Sequence, residues 1–449
     1  MDIISILRGL FGICVLLGIA FLFSNNKRKI NWRLVGTGIA IQLVFAIFII
    51  FSEHLRNFFG PLGWPKDAIS WLGGAVVRVL GFTMEGAAFV FGRLAQNSGP
   101  ESLGIFFAFQ VLPTIIFVSC LTSILYYLGI LQRVVQAMAW VMSKLMGTSG
   151  AESLSTTANI FVGQTEAPLI IRPYISTMTN SELLTIMVGG MATIAGGVMA
   201  AYIQMLGDSF AKIQNIPLYE AQVKFAVQLL AASTMAAPAS LAISKILFPE
   251  TGEPETKGTV KLKVEKNASN LVEAAATGAG DGLQLAFNVA GMLLAFIALI
   301  ALCNYVLQFV GDSTGLNAYL MTTFHQPLSL QLVFGLVLQF IGLAIGIPSQ
   351  DAMSFGSLIG TKIVLNEFVA YLDLAKLIGA QQLSEKTIIM STFALCGFAN
   401  FSSIAIQIGG IGPLAPNRRK DISALGLKAV LGGTLATLMT ATIAGILLG

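Results

Sequence analysis

Long apolar runs alternate with short polar connections along almost the whole chain. A run of about 20 apolar residues can cross the hydrocarbon core of a membrane as a helix. Eight runs have this length. The predicted spans are 3–23, 33–51, 104–128, 183–206, 222–247, 284–310, 386–410 and 425–448. The pattern therefore predicts an all-α integral membrane protein with eight transmembrane helices.

Other apolar segments contain too many polar positions for a plain span, and at 68–96 we expect an interfacial helix. The segments 150–178 and 350–378 are too polar for lipid contact and too apolar for an open loop. Such backbone is tolerated at membrane depth only where protein or a cavity surrounds it, so we predict two re-entrant helical hairpins. Pro168 lacks an N–H and should prevent a continuous helix through the first hairpin.

Both predicted hairpins are followed by the same pattern. A Ser-Glu pair, at 181–182 or at 384–385, begins a span, and Ser181 or Ser384 can cap the helix. The span is then interrupted near its middle, at 193–197 in the first copy and at 397–403 in the second. The order of the spans makes the two hairpins enter from opposite sides, as an inverted repeat. In secondary transporters such repeats enclose a binding site near the bilayer midplane.

This organisation divides the chain into four parts. Residues 1–130 would form a scaffold part with three spans and the interfacial helix, and residues 131–250 the first transport repeat. Residues 251–320 would hold a cytoplasmic linker and one scaffold span, and residues 321–449 the second transport repeat. Each transport repeat would consist of one hairpin, one broken span and one unbroken span.

Composition agrees with a membrane protein, because 55% of the residues are hydrophobic and 11% are charged, against roughly a quarter charged in an average soluble domain. The net charge of +4 is small, and the basic residues cluster between apolar runs. This distribution argues against nucleic-acid binding. The basic loops at 26–33, 257–266 and 418–420 would lie in the cytoplasm, with both termini outside.

The residue types of an enzyme centre are scarce. The chain has two histidines and four cysteines, and the cysteines lack metal-ligand spacing. Paired carboxylates could serve acid–base chemistry, but no nucleophile motif accompanies them. A channel is the other alternative, although the twinned, interrupted elements favour an occluded site over a continuous pore with selectivity rings. We therefore expect a secondary transporter that is not an enzyme.

Three motifs resemble one transporter family. They are GQTEAP at 163–168, GTK at 360–362 followed by NEFVA at 366–370, and FANFSS at 398–403. With these motifs the chain resembles the concentrative nucleoside transporter family from about residue 80 to residue 448. The resemblance implies a bacterial sodium/nucleoside symporter in the cell inner membrane, which forms a homotrimer with a separate pathway in each protomer. It implies no cofactor apart from the coupling ion.

The resemblance also implies which residues bind the nucleoside. They are Gln164, Thr165, Glu166, Val198, Glu367, Phe398, Asn400 and Ser403. The residues 164–166 would recognise the edge of the base, Val198 and Phe398 its flat face, and the remaining three the ribose hydroxyls. An amide and a carboxylate together offer donors and acceptors, and a carboxylate can accept two vicinal hydroxyls.

The resemblance further implies a sodium site at Asn159, Val162, Thr193 and Ile194. Sodium is a hard cation that binds oxygen, here the side chains of Asn159 and Thr193 and the backbone carbonyls of Val162 and Ile194. Many relatives have serine where this chain has Thr193, which keeps the hydroxyl oxygen. Proton-coupled members tend to lack the asparagine, so Asn159 favours sodium, and a proton-coupled nucleoside symporter is the alternative.

Each of these assignments also has a purely structural alternative. The two glutamates could be paired with Lys362 or Arg172 instead of a ligand, although acids within a membrane are usually functional. The asparagine of the predicted sodium site could merely cap the hairpin. The valine and the phenylalanine would be taken for core residues if they stood outside these motifs.

Overall fold

The computed structural model describes residues 3–96, 106–258, 268–324 and 326–448, except for the side chains of residues 53 and 54. Within these ranges every regular element is helical, apart from one isolated bridge between Ser149 and Lys257. The predicted all-α fold is confirmed. Three predicted linker lysines, at 261, 263 and 266, lie outside the described residues, as do the first two residues of the predicted span 104–128.

In the described residues seven α-helices precede the first hairpin. They are α1 (Ile3–Leu22), α2 (Trp32–Ile50), α3 (Ser52–Phe58), α4 (Trp64–Phe91), α5 (Phe107–Gln110), α6 (Leu112–Tyr127) and α7 (Ile130–Met146). Hairpin 1 and the rest of its repeat follow. They consist of α8 (Gly150–Ala158), α9 (Ala167–Ile170), α10 (Arg172–Ile175), the pair α11 (Asn180–Ala192) and α12 (Gly196–Gln214), and α13 (Leu218–Leu247).

The second half repeats this order after two further helices. Those two are α14 (Leu271–Ser313) and α15 (Leu316–Phe324). Then come α16 (Leu330–Ile345), hairpin 2 with α17 (Ala352–Val364) and α18 (Glu367–Gly379), the pair α19 (Glu385–Leu395) and α20 (Phe401–Ile411), and α21 (Arg419–Leu448).

Eight segments of the described chain are long and apolar enough to cross a membrane. They are not the same eight as predicted. The predicted span 386–410 is interrupted between α19 and α20, because five residues at its middle leave the helix. The additional segment is Gly60–Ala95, which contains the 28-residue α4. We expected an interfacial helix in this part of the chain, and its length and hydropathy also permit a span.

The helices form an inner bundle and an outer layer. In the most apolar stretch of Asn180–Gln214, and likewise of Pro416–Leu448, 89% of the residues are buried. In the most apolar stretch of Leu271–Ser313 only 22% are buried. A helix that is buried all round lies in a core, and one buried on a single stripe lies at a surface. The inner bundle therefore consists of α11–α13, α19–α21 and the two hairpins, and α1, α2, α4, α6 and α14 pack around its outside.

Hairpin 1 is interrupted where its proline predicted an interruption. Ser149 caps α8 in a reciprocal capping box with Glu152, and α8 ends at Ala158. The segment 159–166 lacks α-helix, and α9 then begins with Pro168 in its first turn. At that position the missing N–H of proline removes no helical hydrogen bond. The tip of hairpin 1 is thus free to present backbone and side-chain polar groups.

The predicted serine caps are half right. Ser384 is the N-cap of α19, as expected. The prediction for Ser181 is wrong, because Thr179 caps α11 in a reciprocal capping box with Glu182. The hydroxyl of Ser181 instead accepts a hydrogen bond of 2.9 Å from Lys245 Nζ. This lysine lies on α13, so the contact ties the start of α11 to the end of the unbroken helix.

The two hairpins enter the molecule from opposite ends. The base of hairpin 1 lies beside the linker, where Gly150 N donates to Thr256 O at 2.9 Å. We call this the linker end; the C-terminal ends of α1 and α13 also meet there. The base of hairpin 2 lies at the other end of α1, where Lys386 Nζ donates to Ser5 Oγ at 3.4 Å. The inverted arrangement predicted from the span order is therefore present.

The two interrupted helices break beside each other. The break after α11 covers residues 193–195, and the break after α19 covers residues 396–400. A Cβ added to Gly397 would lie 2.7 Å from the carbonyl oxygen of Met191 and 2.9 Å from the carbonyl carbon of Ala192. Glycine permits this close approach of two backbones because it has no side chain. Helix ends consequently lie in the interior of the molecule.

Candidate functional site

The tip of hairpin 1 and the first turns of α12, α18 and α20 surround one cavity of about 150 Å³, the site cavity. Its lining contains all eight residues predicted to bind the nucleoside: Gln164, Thr165, Glu166, Val198, Glu367, Phe398, Asn400 and Ser403. Helix N-termini carry free N–H groups and the positive end of the helix dipole. The cavity therefore offers N–H donors beside the carboxylate acceptors of Glu166 and Glu367, which suits a ligand with both acceptors and hydroxyl donors.

The wall of the site cavity opposite these groups is apolar. It comes from α14 through Leu285, Val289, Met292 and Leu293. Since α14 belongs to the outer layer, the cavity lies between the inner bundle and an outer helix. A polar side facing an apolar side matches a small molecule with a flat ring and a hydroxylated part.

Glu367 is held in place from two directions. It is the first residue of α18, after the N-cap Asn366, and only 6% of it is exposed. Tyr202 Oη donates to its Oε1 at 3.2 Å, and Asn400 Nδ2 donates to its Oε2 at 2.9 Å. A carboxylate has about four lone-pair sites, so two remain for a ligand. The start of a helix is also a favourable place for negative charge.

A cluster of aromatic rings packs around Tyr202, the donor to this carboxylate. The ring of Tyr202 stacks on Tyr371 with centroids 4.2 Å apart and meets Phe368 edge-on at 5.1 Å. Phe107 meets Phe368 edge-on at 5.3 Å. Tyr371 Oη donates to Thr392 O at 2.8 Å, so its hydroxyl is also satisfied. Rings packed in this way restrict the rotamer of Tyr202 and hence the position of its hydroxyl.

Gln164 lies at the tip of hairpin 1 and is 7% exposed. Its Nε2 donates to Ser403 Oγ at 3.3 Å, and its Oε1 accepts from Gln407 Nε2 at 3.1 Å. Gly190 makes room for it, because a Cβ on Gly190 would lie 2.9 Å from the Cβ of Gln164. The amide therefore bridges the first hairpin and the second broken helix.

Glu166 differs from Glu367 in its surroundings, because its side chain is exposed to the cavities and not enclosed. Among the described residues neither glutamate forms an ion pair with Lys362 or Arg172. The structural alternative of a satisfied internal ion pair is thus not the arrangement found. Both carboxylates are available to a ligand in the site cavity.

A second cavity of about 260 Å³ adjoins the site cavity. The two share Gly163, Glu166, Ala195 and Leu285. The second cavity extends between hairpin 1, α6 and α14 to Tyr127 and Ala268. Ala268 lies just before the start of α14, so this cavity runs from the site cavity along α14 to the N-terminal end of that helix.

The four predicted sodium ligands lie at the tip of hairpin 1 and in the break after α11. Asn159 is 1% exposed, its Nδ2 donates to Ser155 O at 3.0 Å, and its Oδ1 has no hydrogen-bond partner. Thr193 is also 1% exposed and donates to Gly189 O at 2.9 Å, which leaves its lone pairs free. Among the described residues no backbone hydrogen bond ends at the carbonyl of Val162 or Ile194.

These oxygens fit a small hard cation. A buried oxygen without a partner costs free energy that a bound cation would remove. Three hydroxyls in the last turns of α8, near Asn159, are also buried and without partners: those of Ser155, Thr156 and Thr157. The part of the chain that the structure describes holds no group of three or more His, Cys, Asp or Glu suited to a metal ion. The donor set is therefore one of neutral oxygens.

The structure adds two residues that the sequence did not identify. Tyr202 orients Glu367, and Gln407, which is 0% exposed, donates both to Gln164 Oε1 and to Met187 O. Gln407 had a usable signal, since a glutamine within an apolar run needs a polar partner. Tyr202 had none, because a tyrosine in an apolar helix is common and its partner lies 165 positions away.

Comparison with known proteins identifies the family of the chain. Residues 11–94 match the family model for the N-terminus of Na+ dependent nucleoside transporters, and residues 228–445 match the model for their C-terminus. Residues 108–209 match a model described as nucleoside recognition. Together these matches cover most of the chain, including both hairpins.

Two relatives and two solved structures illustrate the similarity. The nucleoside permease NupC of Helicobacter pylori is 41% identical over 452 residues, which cover 100% of this chain and 99% of that protein. Sodium/nucleoside cotransporter 1 of Rattus norvegicus is 40% identical over 450 residues, which cover 97% of this chain and 63% of the rat protein.

One solved structure is CNTnw in an inward-facing substrate-bound state. It has a TM-score of 0.85 and 39% identity, with 99% of this chain and 98% of that one covered. A doubly substituted CNTnw in an outward-facing state has a TM-score of 0.86, also at 39% identity and with 99% of both chains covered. The chain therefore belongs to the concentrative, Na+ dependent nucleoside transporter family.

Proposed function

We propose that this protein imports nucleosides by symport with sodium, through alternating access. The observation that carries the proposal is the site cavity, where two hairpin repeats bring an amide, two carboxylates and a second amide to one small space. The names of the matched families and relatives are those of transporters. Glu367 and Asn400 would bind the ribose hydroxyls, and Gln164 and Glu166 the edge of the base.

Sodium would act through hairpin 1. A cation between Asn159 and Thr193 would join the tip of hairpin 1 to the end of α11 and so order the adjacent Gln164 and Glu166. Binding of the ion and of the nucleoside would then favour each other, because thermodynamic coupling between two sites is reciprocal. The unpartnered Oδ1 of Asn159 supports sodium over the proton-coupled alternative. The coupling energy is supplied by the sodium gradient.

Movement of the inner bundle past the outer layer would expose the site cavity to each side in turn. The adjoining cavity of about 260 Å³ would then be the release path towards the cytoplasm. One positive charge carried per cycle gains about 2.3 kcal/mol per 100 mV, so uptake should be electrogenic. We place the protein in the bacterial inner membrane as a homotrimer, whose contacts would use exposed apolar residues of α14 such as Leu294 and Phe309.

The test is uptake of radiolabelled uridine into proteoliposomes with an imposed sodium gradient, equal pH on both sides and a protonophore present. We expect accumulation above the outside concentration that requires sodium and survives the protonophore. The Glu367→Gln variant should be inactive, because a neutral amide cannot accept two hydroxyls in the way a carboxylate does.

Glu385→Gln is the matched control, since Glu385 is an exposed acid that pairs with Lys224 outside the site. This variant should transport like wild type, and both variants should elute as folded protein in gel filtration. Uptake driven only by a pH gradient would contradict the sodium assignment and keep the binding site. Full activity of Glu367→Gln would contradict the site itself.

A further inference from the structure

Lys362 is a fully buried lysine that the proposed mechanism does not use. It lies in the last turn of α17, the first helix of hairpin 2, and is 0% exposed. Its Nζ donates to Ala394 O at 2.8 Å and to Thr437 Oγ1 at 3.0 Å. Among the described residues no carboxylate lies within ion-pair distance of it. Its direct acceptors are neutral oxygens, and the carboxylate of Glu367 acts on it only from beyond ion-pair distance. A buried ammonium in this setting is costly and calls for a function.

The position of this ammonium matches a position in the other repeat. In hairpin 1, Asn159 directly follows the first hairpin helix α8, and Thr193 is the C-cap of α11, the first half of the broken helix after the hairpin. In hairpin 2, Lys362 lies at the end of the first hairpin helix, and its contact Ala394 lies in the last turn of α19. We call α11 and α19, the first halves of the two broken helices, the half-helices. Each repeat therefore brings the inner end of a hairpin helix to the C-terminal end of its half-helix.

The two half-helix ends differ in their hydrogen bonds. Each of the last four carbonyls of α19 has a donor, and these donors are Tyr371 Oη, Cys396 N, Lys362 Nζ and Gly397 N. Among the described residues no hydrogen bond ends at the carbonyls of residues 190–192, the last three of α11. The C-terminal end of a helix is its negative pole and attracts a cation. Only the end of α19 carries a cation within the chain itself.

We propose that the ammonium of Lys362 is a tethered cation that does permanently for hairpin 2 what the coupling sodium does for hairpin 1. It joins α17, the end of α19 and, through Thr437, α21. Hairpin 2 then stays attached to its half-helix throughout the cycle, and only hairpin 1 responds to a free ion. This inference rests on the proposed sodium site, and it makes Lys362 a positioning residue for Glu367 five residues later.

The test measures nucleoside affinity against sodium concentration. Radiolabelled uridine is bound to the full-length protein in detergent, with choline chloride keeping ionic strength constant. The slope of log affinity against log sodium counts the cations bound together with the nucleoside. Lys362→Ala leaves a space with the same oxygens and no cation, so the slope should rise by about one relative to wild type. Ethylammonium, which carries the lost charge, should restore affinity at low sodium.

Two further variants separate charge from structure. Lys362→Arg keeps the charge and should keep the wild-type slope. Lys362→Gln keeps hydrogen-bond donors but is neutral, so the slope of this variant should also rise by about one cation. This variant replaces Lys362→Ala in the test if Lys362→Ala does not fold. An unchanged slope in Lys362→Gln, with no rescue by ethylammonium, would overturn the inference and leave Lys362 as a structural donor.

The same data distinguish this inference from the proposed function. A wild-type slope of zero would refute sodium coupling. The inference concerns only the difference in slope between the neutral variants and wild type. Even then, this difference should be about one cation, whether sodium or ethylammonium is added. Loss of that difference with a normal wild-type slope would refute the tethered cation alone.

Discussion

Gln407 shows how one buried amide can set the geometry of a binding site that it does not line. It lies on α20 and is 0% exposed. Its Nε2 reaches Gln164 Oε1 at 3.1 Å and the carbonyl of Met187 on α11 at 2.9 Å. Because Gln407 donates to the side-chain oxygen of Gln164, the Nε2 of Gln164 stays directed at Ser403. The amide at the tip of hairpin 1 is thus oriented before any ligand binds.

Gln407→Leu should therefore weaken nucleoside binding without removing a ligand contact. Loss of a buried hydrogen bond costs about 1 kcal/mol, which corresponds to roughly a five- to tenfold increase in KM. The maximal rate should change little, because no group that contacts the nucleoside is lost. Initial rates of uridine uptake over a range of concentrations measure both quantities.

Gln42→Leu is the matched control for this substitution. Gln42 is also 0% exposed, but its amide donates only to Gly38 O within its own helix α2. The same change there should leave KM unaltered. An equal rise in KM in both variants would mean that the effect comes from packing in general and not from orientation of Gln164.

The broken helices are the elements on which the site depends. Residues 193–195 place Thr193 and Ile194 beside hairpin 1, and residues 396–400 place Asn400 where its side chain can reach Glu367. The N-cap role of Asn400, which accepts from Ser403 N at 2.8 Å, sets the start of α20. Contact of Gly397 with the last turn of α11 then brings the two repeats close together.

Gly397→Ala should disturb both repeats at once. The added methyl would lie 2.7 Å from Met191 O, and overpacking of this kind costs about 1–3 kcal/mol. We expect a lower thermal unfolding midpoint in detergent and loss of most uridine uptake. Gly409→Ala on α20 is the control, because nothing lies within 4 Å of its added Cβ. Equal stability of the two variants would contradict the close contact between the breaks.

At the level of the whole molecule, the helices divide into an inner bundle, which the proposed mechanism moves, and an outer layer. The site cavity lies at their boundary, with polar groups on the bundle and the apolar wall on α14. The outward face of α14 carries large exposed side chains: Phe287, Leu294, Leu302, Tyr305 and Phe309. An apolar row of this length must be covered by lipid or by other protomers.

The proposed homotrimer with separate pathways makes a quantitative prediction. Trimers that combine wild-type protomers with Glu367→Gln protomers, separated by two affinity tags, should transport in proportion to the number of active protomers. One active protomer should retain about one third of the wild-type rate, because a cyclic trimer has three equivalent copies. Native mass spectrometry in detergent checks the stoichiometry. Complete inactivity of such trimers would contradict independent pathways.

Local sequence was sufficient for the helical class, for most spans and for the interruption at Pro168, because length, hydropathy and the missing proline N–H act within one segment. The cap of α11 was also a local signal, which the Ser-Glu pattern overlooked, because Thr179 and Glu182 form a T-x-x-E capping box. Only the packing of the helices decided that Lys245, 64 positions away, would donate to the hydroxyl of Ser181.

The candidate site followed from motifs whose residues stand far apart, and their convergence in one cavity depends on the three-dimensional packing. Gln164 and Gln407 are 243 positions apart, and Tyr202 and Glu367 are 165 positions apart. Hydropathy and spacing describe what one segment needs to bury, whereas these partners are selected by which helices cross. The donor to Ala394 O is Lys362 for the same reason, since only packing of α17 against α19 brings the ammonium to that helix end.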